Sequence, residues 1–231
     1  MKRSTTFEQK GEIEYKFILL GDTSVGKTCL FKKITTGTFI DRNVSTVGID
    51  RRTVQILCDI DEGNGIIKTR NIKVNLTDTA GQERFKAITK SYYKGSDAAL
   101  LLYDITDKRT FEHIQEWVES IRSSLSRTDN KYSIFLIGTK IDLVECGKRK
   151  REIEIEEAKS KCKEFNMIWG GECSNKNLTD VQYKEIFKDF IKIIYSKIGF
   201  KKVVTQNTVK LASKIVPKKK NNNSDCLCLI Y

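Results

Sequence analysis

The segment Gly21–Thr28 constrains this chain more than any other stretch, because it reads GDTSVGKT and matches the phosphate-loop pattern. An apolar, strand-like run ends at Leu20, and Thr28–Ile34 can begin a helix, so the chain supplies the strand and the helix that this pattern requires. We therefore expect the backbone N–H groups of the loop to point at a polyphosphate. Lys27 would neutralise the β- and γ-phosphate oxygens, and the Thr28 hydroxyl would coordinate Mg²⁺.

Length and composition indicate one α/β domain followed by a tail. The chain has 231 residues, of which 39% are hydrophobic, and this is enough to bury a substantial core. Apolar stretches such as Ala98–Tyr103 are far shorter than the roughly 18 residues that a membrane span needs. The N-terminus lacks the apolar core of a signal peptide and carries Lys2 where myristoylation requires glycine. We expect the protein to be made and to act in the cytosol.

The number and spacing of the cysteine and histidine residues do not favour catalysis by these residues or a zinc site. The seven cysteines lack the paired spacing of zinc ligands, and we interpret the first five as small hydrophobic residues or inert thiols. The single histidine, His113, falls in a helical pattern with Phe111, Ile114 and Trp117. We interpret His113 as structural.

Positive charge is concentrated in the tail. The net charge is +12, and the residues after Gly199 carry seven lysines against a single acidic residue, Asp225. Such a tail suits an anionic surface, either a membrane or a nucleic acid.

Alternating apolar strands and periodic helices run from Tyr15 to Ile198. This pattern predicts an α/β fold of the P-loop NTPase type, with a doubly wound, mostly parallel sheet, one antiparallel edge strand and helices on both faces. The antiparallel strand would come from a hairpin that turns at Asp61–Gly65, and the last helix would begin at Thr179 and end at Gly199. We divide the chain into an N-terminal extension (1–12), a folded domain (13–198) and a disordered tail (199–231).

The stretch DTAGQE, residues 78–83, would lie at the carboxyl end of a strand, where open α/β sheets bind ligands. The Asp78 carboxylate can hold Mg²⁺ through an intervening water. Gly81 lets the backbone approach a γ-phosphate, and the Gln82 amide can orient an attacking water. Together with the phosphate loop, this stretch predicts a phosphoryl-transfer site.

A second strand ends in TKID, residues 139–142, and this segment predicts which base is bound. Asp142 can accept hydrogen bonds from the ring N–H and the exocyclic amine of guanine, while the aliphatic stem of Lys140 packs on the purine. Adenine lacks that pair of donors. We therefore predict GTP rather than ATP as the nucleotide.

These motifs closely resemble those of the Rab family of small GTPases in the Ras superfamily, over Tyr15 to Ile198. The stretches that carry the resemblance are GDTSVGKT, STVGID with Thr46, DTAGQERF, TKID and ECSNK, together with RFKAITKSYYKGS and LLYDITDKRTF. The resemblance implies that Phe39 contacts the guanine edge-on and that Thr46 joins Thr28 and Asp78 around Mg²⁺. The nucleotide-binding residues that it implies are Asp22, Thr23, Ser24, Val25, Gly26, Lys27, Thr28, Cys29, Phe39, Thr46, Gly81, Thr139, Lys140, Asp142, Ser174, Asn175 and Lys176.

The resemblance also implies a mode of action. Segments 38–50 and 78–95 would be switches that the γ-phosphate orders and that hydrolysis, assisted by Gln82, releases. A guanine-exchange factor, a GTPase-activating protein, a dissociation inhibitor and effectors would be the partners. The protein would serve vesicle traffic on the cytoplasmic face of intracellular or plasma membranes and cycle through the cytosol.

Several residues depart from the Rab pattern. Thr139 stands where most Rabs have Asn, and Asn175 stands where Ala is usual; we expect Asn175 to matter little, because the contact there is made by the backbone. Arg51 and Thr77 replace two rings of an exposed aromatic triad, of which Tyr92 alone remains. Since large rings anchor interfaces, the usual partners would bind this chain less well.

The chain ends in CLCLIY, which suggests prenylation at Cys226 and Cys228. Two lipid chains, or one chain with the lysines, would hold the protein at a membrane. Three alternatives stay open: a nucleotide-binding scaffold with little hydrolysis, a Ras- or Rho-like signalling GTPase, and a GTPase that binds nucleic acid. We do not expect nucleic-acid binding, because the lysines lack interleaved aromatic residues.

Overall fold

A computed structural model describes residues 13–39, 48–63, 65–79, 93, 95–125 and 131–200 of the chain. In these residues a six-stranded sheet has the order β2-β3-β1-β4-β5-β6. Every neighbouring pair is parallel except β2 and β3. The strands are β1 (Ile13–Leu20), β2 (Ile49–Asp61), β3 (Ile67–Thr79), β4 (Ala98–Asp104), β5 (Ser133–Thr139) and β6 (Ile168–Cys173).

Helices cover both faces of this sheet. One core packs α1 and α6 against it, and a second core on the opposite face is built mainly with α3 and α5. This arrangement confirms the predicted doubly wound α/β fold. The helices of the described part are α1 (Lys27–Thr36), α2 (Lys108–Glu112), α3 (Ile114–Ser124), α4 (Ile141–Glu145), α5 (Ile155–Glu164) and α6 (Asp180–Ile198).

Position in the sheet explains the pattern of each strand. Every residue of β4 and β5 is buried, because parallel central strands are covered by helices on both faces. The edge strand β2 instead alternates, with Ile56, Cys58 and Ile60 buried and the residues between them exposed. Its thirteen residues pair with β3 from Ile49 to Asp61, which confirms the predicted antiparallel hairpin.

The ends of α6 follow the sequence prediction. The Thr179 side chain accepts a hydrogen bond from the Gln182 backbone N–H, and the Gln182 side chain accepts one from the Thr179 backbone N–H, so the two residues form a capping box. Gly199 follows the helix with a positive φ of 67°.

None of the described helices combines the length and the apolar character that a membrane span requires.

Candidate functional site

The phosphate loop connects β1 to α1 at the carboxyl edge of the sheet, and its backbone explains its glycines. Gly21 has a φ of 129°, and a Cβ at this position would lie 2.3 Å from the Leu102 carbonyl oxygen, so any side chain would collide with β4. Gly26 has a φ of 97° and precedes the first turn of α1. Ser24 adopts a φ of 65° without being glycine. The loop therefore lies close against the neighbouring strand and turns sharply into the helix.

Lys27 folds back over this loop. Its residue is 5% exposed, and Nζ donates to the carbonyl oxygens of Gly21 at 2.8 Å and Asp22 at 2.5 Å. Burial lowers the pKa of Lys27 to about 8, although the nearby carboxylates of Asp78 and Asp22 oppose the shift. A buried ammonium held by carbonyls at a helix N-terminus is well placed to meet an anion.

Asp78 and Thr28 meet beside Lys27. Asp78 lies at the end of β3 and is 1% exposed, and its carboxylate accepts a hydrogen bond from the Thr28 side chain. Burial raises the pKa of Asp78, a shift that the Thr28 hydrogen bond and the Lys27 charge oppose. Within the part of the chain that the structure describes, Asp78 Oδ1 is buried without a hydrogen-bond partner. A hydroxyl next to an under-coordinated buried carboxylate fits a Mg²⁺ site, because this ion takes oxygen ligands.

The Asp22 side chain is directed away from the loop and towards α3. Its Oδ1 accepts a 2.8 Å hydrogen bond from Trp117 Nε1, and its Oδ2 lies 2.5 Å from His113 Nδ1. Asp22 would therefore meet a phosphate through its backbone. The sequence interpretation of His113 as a structural residue missed this contact, because helical periodicity carries no information about a loop 91 positions earlier in the chain.

Residues of the TKID segment surround the opposite side of the loop. Thr139 is fully buried, and its Oγ1 lies 2.7 Å from the Val25 carbonyl oxygen and 2.9 Å from that of Tyr103. Lys140 has a φ of 68°, and its Nζ pairs with Asp104 Oδ2 at 2.5 Å. Asp142 lies in α4, directly after β5. The ammonium group of Lys140 is thus fixed by the carboxylate of the buried Asp104.

The last predicted loop follows β6 and contacts the phosphate loop directly. Asn175 Nδ2 donates to the Gly26 carbonyl oxygen at 3.0 Å. The expectation that Asn175 acts only through its backbone is therefore incomplete, because its side chain joins two loops. Glu172, just before this loop, receives a two-point contact from Arg151, with both N–O distances at 2.7 Å.

A cavity of about 550 Å³ opens between these loops. Its volume lies in the range of small-molecule sites. Lys27, Thr28 and Asp78 are outside its lining and form a separate group at the start of α1. Predicted residues that line the cavity are Ser24, Gly26, Cys29, Phe39, Lys140, Asp142, Asn175 and Lys176.

Several predicted residues lie outside the described part of the chain: Thr46, Gly81, Gln82, Tyr92, Cys226 and Cys228. The two replaced positions of the aromatic triad are described. Arg51 and Thr77 are cross-strand neighbours on β2 and β3, and Arg51 is exposed. Among the described residues, Cys29, Cys58, Cys146, Cys162 and Cys173 form no disulfide.

Comparison with known proteins identifies relatives of this chain. The model of the Ras family matches residues 16–196. Ras-related protein Rab-13 of Rattus norvegicus is 36% identical over 211 residues, which cover 90% of this chain and 94% of the relative. Rab-13 of Bos taurus is 34% identical over 209 residues, covering 90% and 94%, and Rab-13 of Canis lupus familiaris is 35% identical over 214 residues, covering 92% and 95%. This chain therefore belongs to the Ras family and is a small GTPase of the Rab type.

Proposed function

We propose that this Rab-type GTPase is a membrane-anchored switch of vesicle traffic that binds GTP or GDP with Mg²⁺ and hydrolyses GTP slowly. The observation that carries the proposal is the group at the N-terminus of α1 in which the buried Lys27 and Asp78 meet the half-buried Thr28. It combines a cation for phosphate oxygens with two oxygen groups for a metal ion.

Thr28, Asp78 and Thr46 would hold the Mg²⁺, which when bound neutralises charge on the phosphate oxygens. The partnerless Oδ1 of Asp78 in the described structure supports this assignment, because an unpaired buried oxygen is costly. Lys27 would lie on the phosphates with the loop N–H groups. Domain boundaries at 1–12, 13–198 and 199–231 belong to the same proposal.

The cavity between the loops would hold the guanine. Asp142 lines it and would accept from the ring N–H and the exocyclic amine, while the stem of Lys140 and the Phe39 ring border the purine. Ser174, Asn175 and Lys176 would complete the site from the loop after β6. Adenine presents a different donor pattern to Asp142 and would be rejected.

Hydrolysis would depend on Gln82, whose amide orients the attacking water. The side chains of Thr23 and Ser24 occupy the phosphate loop, and we expect a slow intrinsic rate that an activating protein with an arginine raises by roughly 10³- to 10⁵-fold.

Single-turnover hydrolysis by wild type and by Gln82→Leu, each loaded with GTP, tests this role. We expect the variant to bind GTP with unchanged stoichiometry and to hydrolyse it at least about tenfold more slowly, with or without an activator. Thr53→Ala on the exposed face of β2 is a control that should hydrolyse like wild type. Equal rates for wild type and Gln82→Leu would remove Gln82 from the mechanism.

Membrane attachment would come from prenyl groups on Cys226 and Cys228 with help from the tail lysines. Localisation of the tagged protein beside Cys226→Ser/Cys228→Ser tests the anchor, and the intact mass of protein from cells reports the lipid directly. We expect a mass increase of one or two prenyl groups and loss of membrane signal in the double variant. Free thiols at both cysteines would exclude the anchor.

The partners would be an exchange factor, a GTPase-activating protein, a dissociation inhibitor and effectors. Arg51 and Thr77 make the exposed face of β2 and β3 polar where aromatic residues are usual in Rabs. Thr53 and Asn75 continue this polar face through a hydrogen bond across the strands. We expect effectors with polar contact surfaces rather than those that bury aromatic rings.

A further inference from the structure

The loop after β6 is joined to the phosphate loop by the Asn175 side chain, which is held at both ends. Asn175 is 5% exposed, and its Nδ2 donates to the Gly26 carbonyl oxygen at 3.0 Å. Its Oδ1 accepts a weak hydrogen bond from Cys173 Sγ at 3.5 Å. The amide is therefore fixed in orientation rather than free to rotate.

The acceptor of this bond is a structurally important carbonyl. Gly26 is the N-cap of α1, and its carbonyl oxygen also accepts the first helical hydrogen bond, from Leu30 N–H at 2.9 Å. As a glycine, this N-cap residue has no side chain with which to cap the helix. Asn175 thus holds the residue that orients the N-terminus of α1, from a loop 149 positions away in the chain.

Thr139 makes a similar contact with the residue of the phosphate loop that precedes Gly26. Thr139 Oγ1 lies within hydrogen-bond distance of the Val25 carbonyl oxygen, one residue before Gly26. That hydroxyl has a single hydrogen, which the Tyr103 carbonyl also attracts at 2.9 Å. The end of β5 and the loop after β6 therefore contact the carbonyl groups of two consecutive residues of the phosphate loop, Val25 and Gly26. The Asn175 amide donates to Gly26, whereas the single hydrogen of the Thr139 hydroxyl is shared between two carbonyls.

We propose that Asn175 is a positioning residue that couples the guanine-binding loop to the phosphate loop and thereby slows nucleotide release. This inference rests on the proposed guanine-nucleotide site. With the side-chain bond in place, movement of the base loop away from the nucleotide must also displace the Gly26 carbonyl. Without the bond, either loop can open alone, and each opening frees one end of the nucleotide.

Dissociation of a fluorescent GDP analogue, chased with excess GDP in the presence of Mg²⁺, tests the proposal on the full chain. We expect Asn175→Ala to release the analogue about three to ten times faster than wild type, the range that one neutral hydrogen bond carries. Asn175→Asp keeps the side-chain shape but turns an oxygen towards the Gly26 carbonyl, so its release should be faster still.

The matched control is Asn71→Ala on the hairpin. Asn71 Nδ2 donates to Gln55 Oε1 at the same 3.0 Å, far along the sheet edge, and its loss should leave release within about twofold of wild type. Urea denaturation separates positioning from a general loss of structure. Asn175→Ala should keep a single cooperative unfolding transition while its release of the analogue accelerates.

Release from Asn175→Ala at the wild-type rate, or equal acceleration in Asn71→Ala, would overturn the coupling. If Asn175→Ala does not fold, the release rate of Asn175→Asp tests the coupling instead, since the aspartate side chain is isosteric with asparagine. Failure of the wild-type chain to retain the analogue would instead contradict the guanine-nucleotide site and the inference with it.

Discussion

At the scale of single residues, Lys27 is the group whose chemistry the site alters most clearly. Its ammonium is buried against backbone carbonyls, and burial disfavours the charged form. In the protein without nucleotide this lowers the pKa to about 8, so the residue is partly neutral in mildly alkaline solution. A polyphosphate would stabilise the charged form and raise the pKa again.

GDP binding should therefore take up a proton at alkaline pH. At pH 8.5 a lysine with a pKa near 8 is partly neutral before binding and charged afterwards, so each GDP that binds should take up a fraction of a proton. Because GDP binding takes up a proton, GDP affinity should fall as the pH rises above about 8. Calorimetric titration of nucleotide-free protein in two buffers with different ionisation enthalpies measures the uptake. Proton release, or none exchanged, would contradict the role of Lys27.

At the scale of elements, α3 is coupled to the phosphate loop through Asp22. Trp117→Phe removes the indole N–H that donates to Asp22 while most of the ring volume remains. Because hydrogen bonds to charged groups are among the stronger ones, we expect GDP release to accelerate by about tenfold.

Trp169→Phe is the control for this variant, because Trp169 is the other tryptophan and lies on β6. Release of fluorescent GDP should stay close to the wild-type rate in this control. Equal release from both variants and from wild type would show that α3 does not hold the loop.

A second contact between elements is the ion pair between Glu172 on β6 and Arg151 in the loop that follows α4. The Glu172 side chain is 5% exposed and the Arg151 side chain 19%, so the pair is shielded from water. Arg151→Met leaves Glu172 buried without its partner, and we expect the free energy of unfolding to fall by about 3 kcal/mol. The double variant Arg151→Met/Glu172→Leu should recover much of this loss, as measured by urea denaturation. Equal stability of the single and double variants would contradict this account.

At the scale of the whole molecule, the sequence was enough to predict the sheet, its antiparallel edge and the two layers of helices. These features follow from local periodicity and turn composition, and the capping box at Thr179 follows from a four-residue pattern. The motifs of the candidate site could also be read from the sequence, because each is continuous in the chain, but their contacts with a nucleotide stay a prediction.

Contacts between motifs were not predictable in the same way. The bond from Trp117 to Asp22 joins positions 95 residues apart, and the bond from Asn175 to Gly26 joins positions 149 residues apart. Periodicity indicates which face of an element is buried, but it does not indicate which loops meet at the edge of a sheet. The lowered pKa of Lys27 likewise depends on the burial of its side chain in the folded protein, which the motif alone does not indicate.

The central claim is that Lys27, Thr28 and Asp78 grip a Mg²⁺-bound polyphosphate while Asp142 selects guanine. Protein stripped of nucleotide, then offered GTP and ATP in equal excess with Mg²⁺ and separated from free ligand, tests this claim most directly. The account predicts that the protein retains about one equivalent of guanine nucleotide, excludes adenine nucleotide and releases its ligand when Mg²⁺ is chelated. Retention of neither nucleotide, or a preference for ATP, would contradict it.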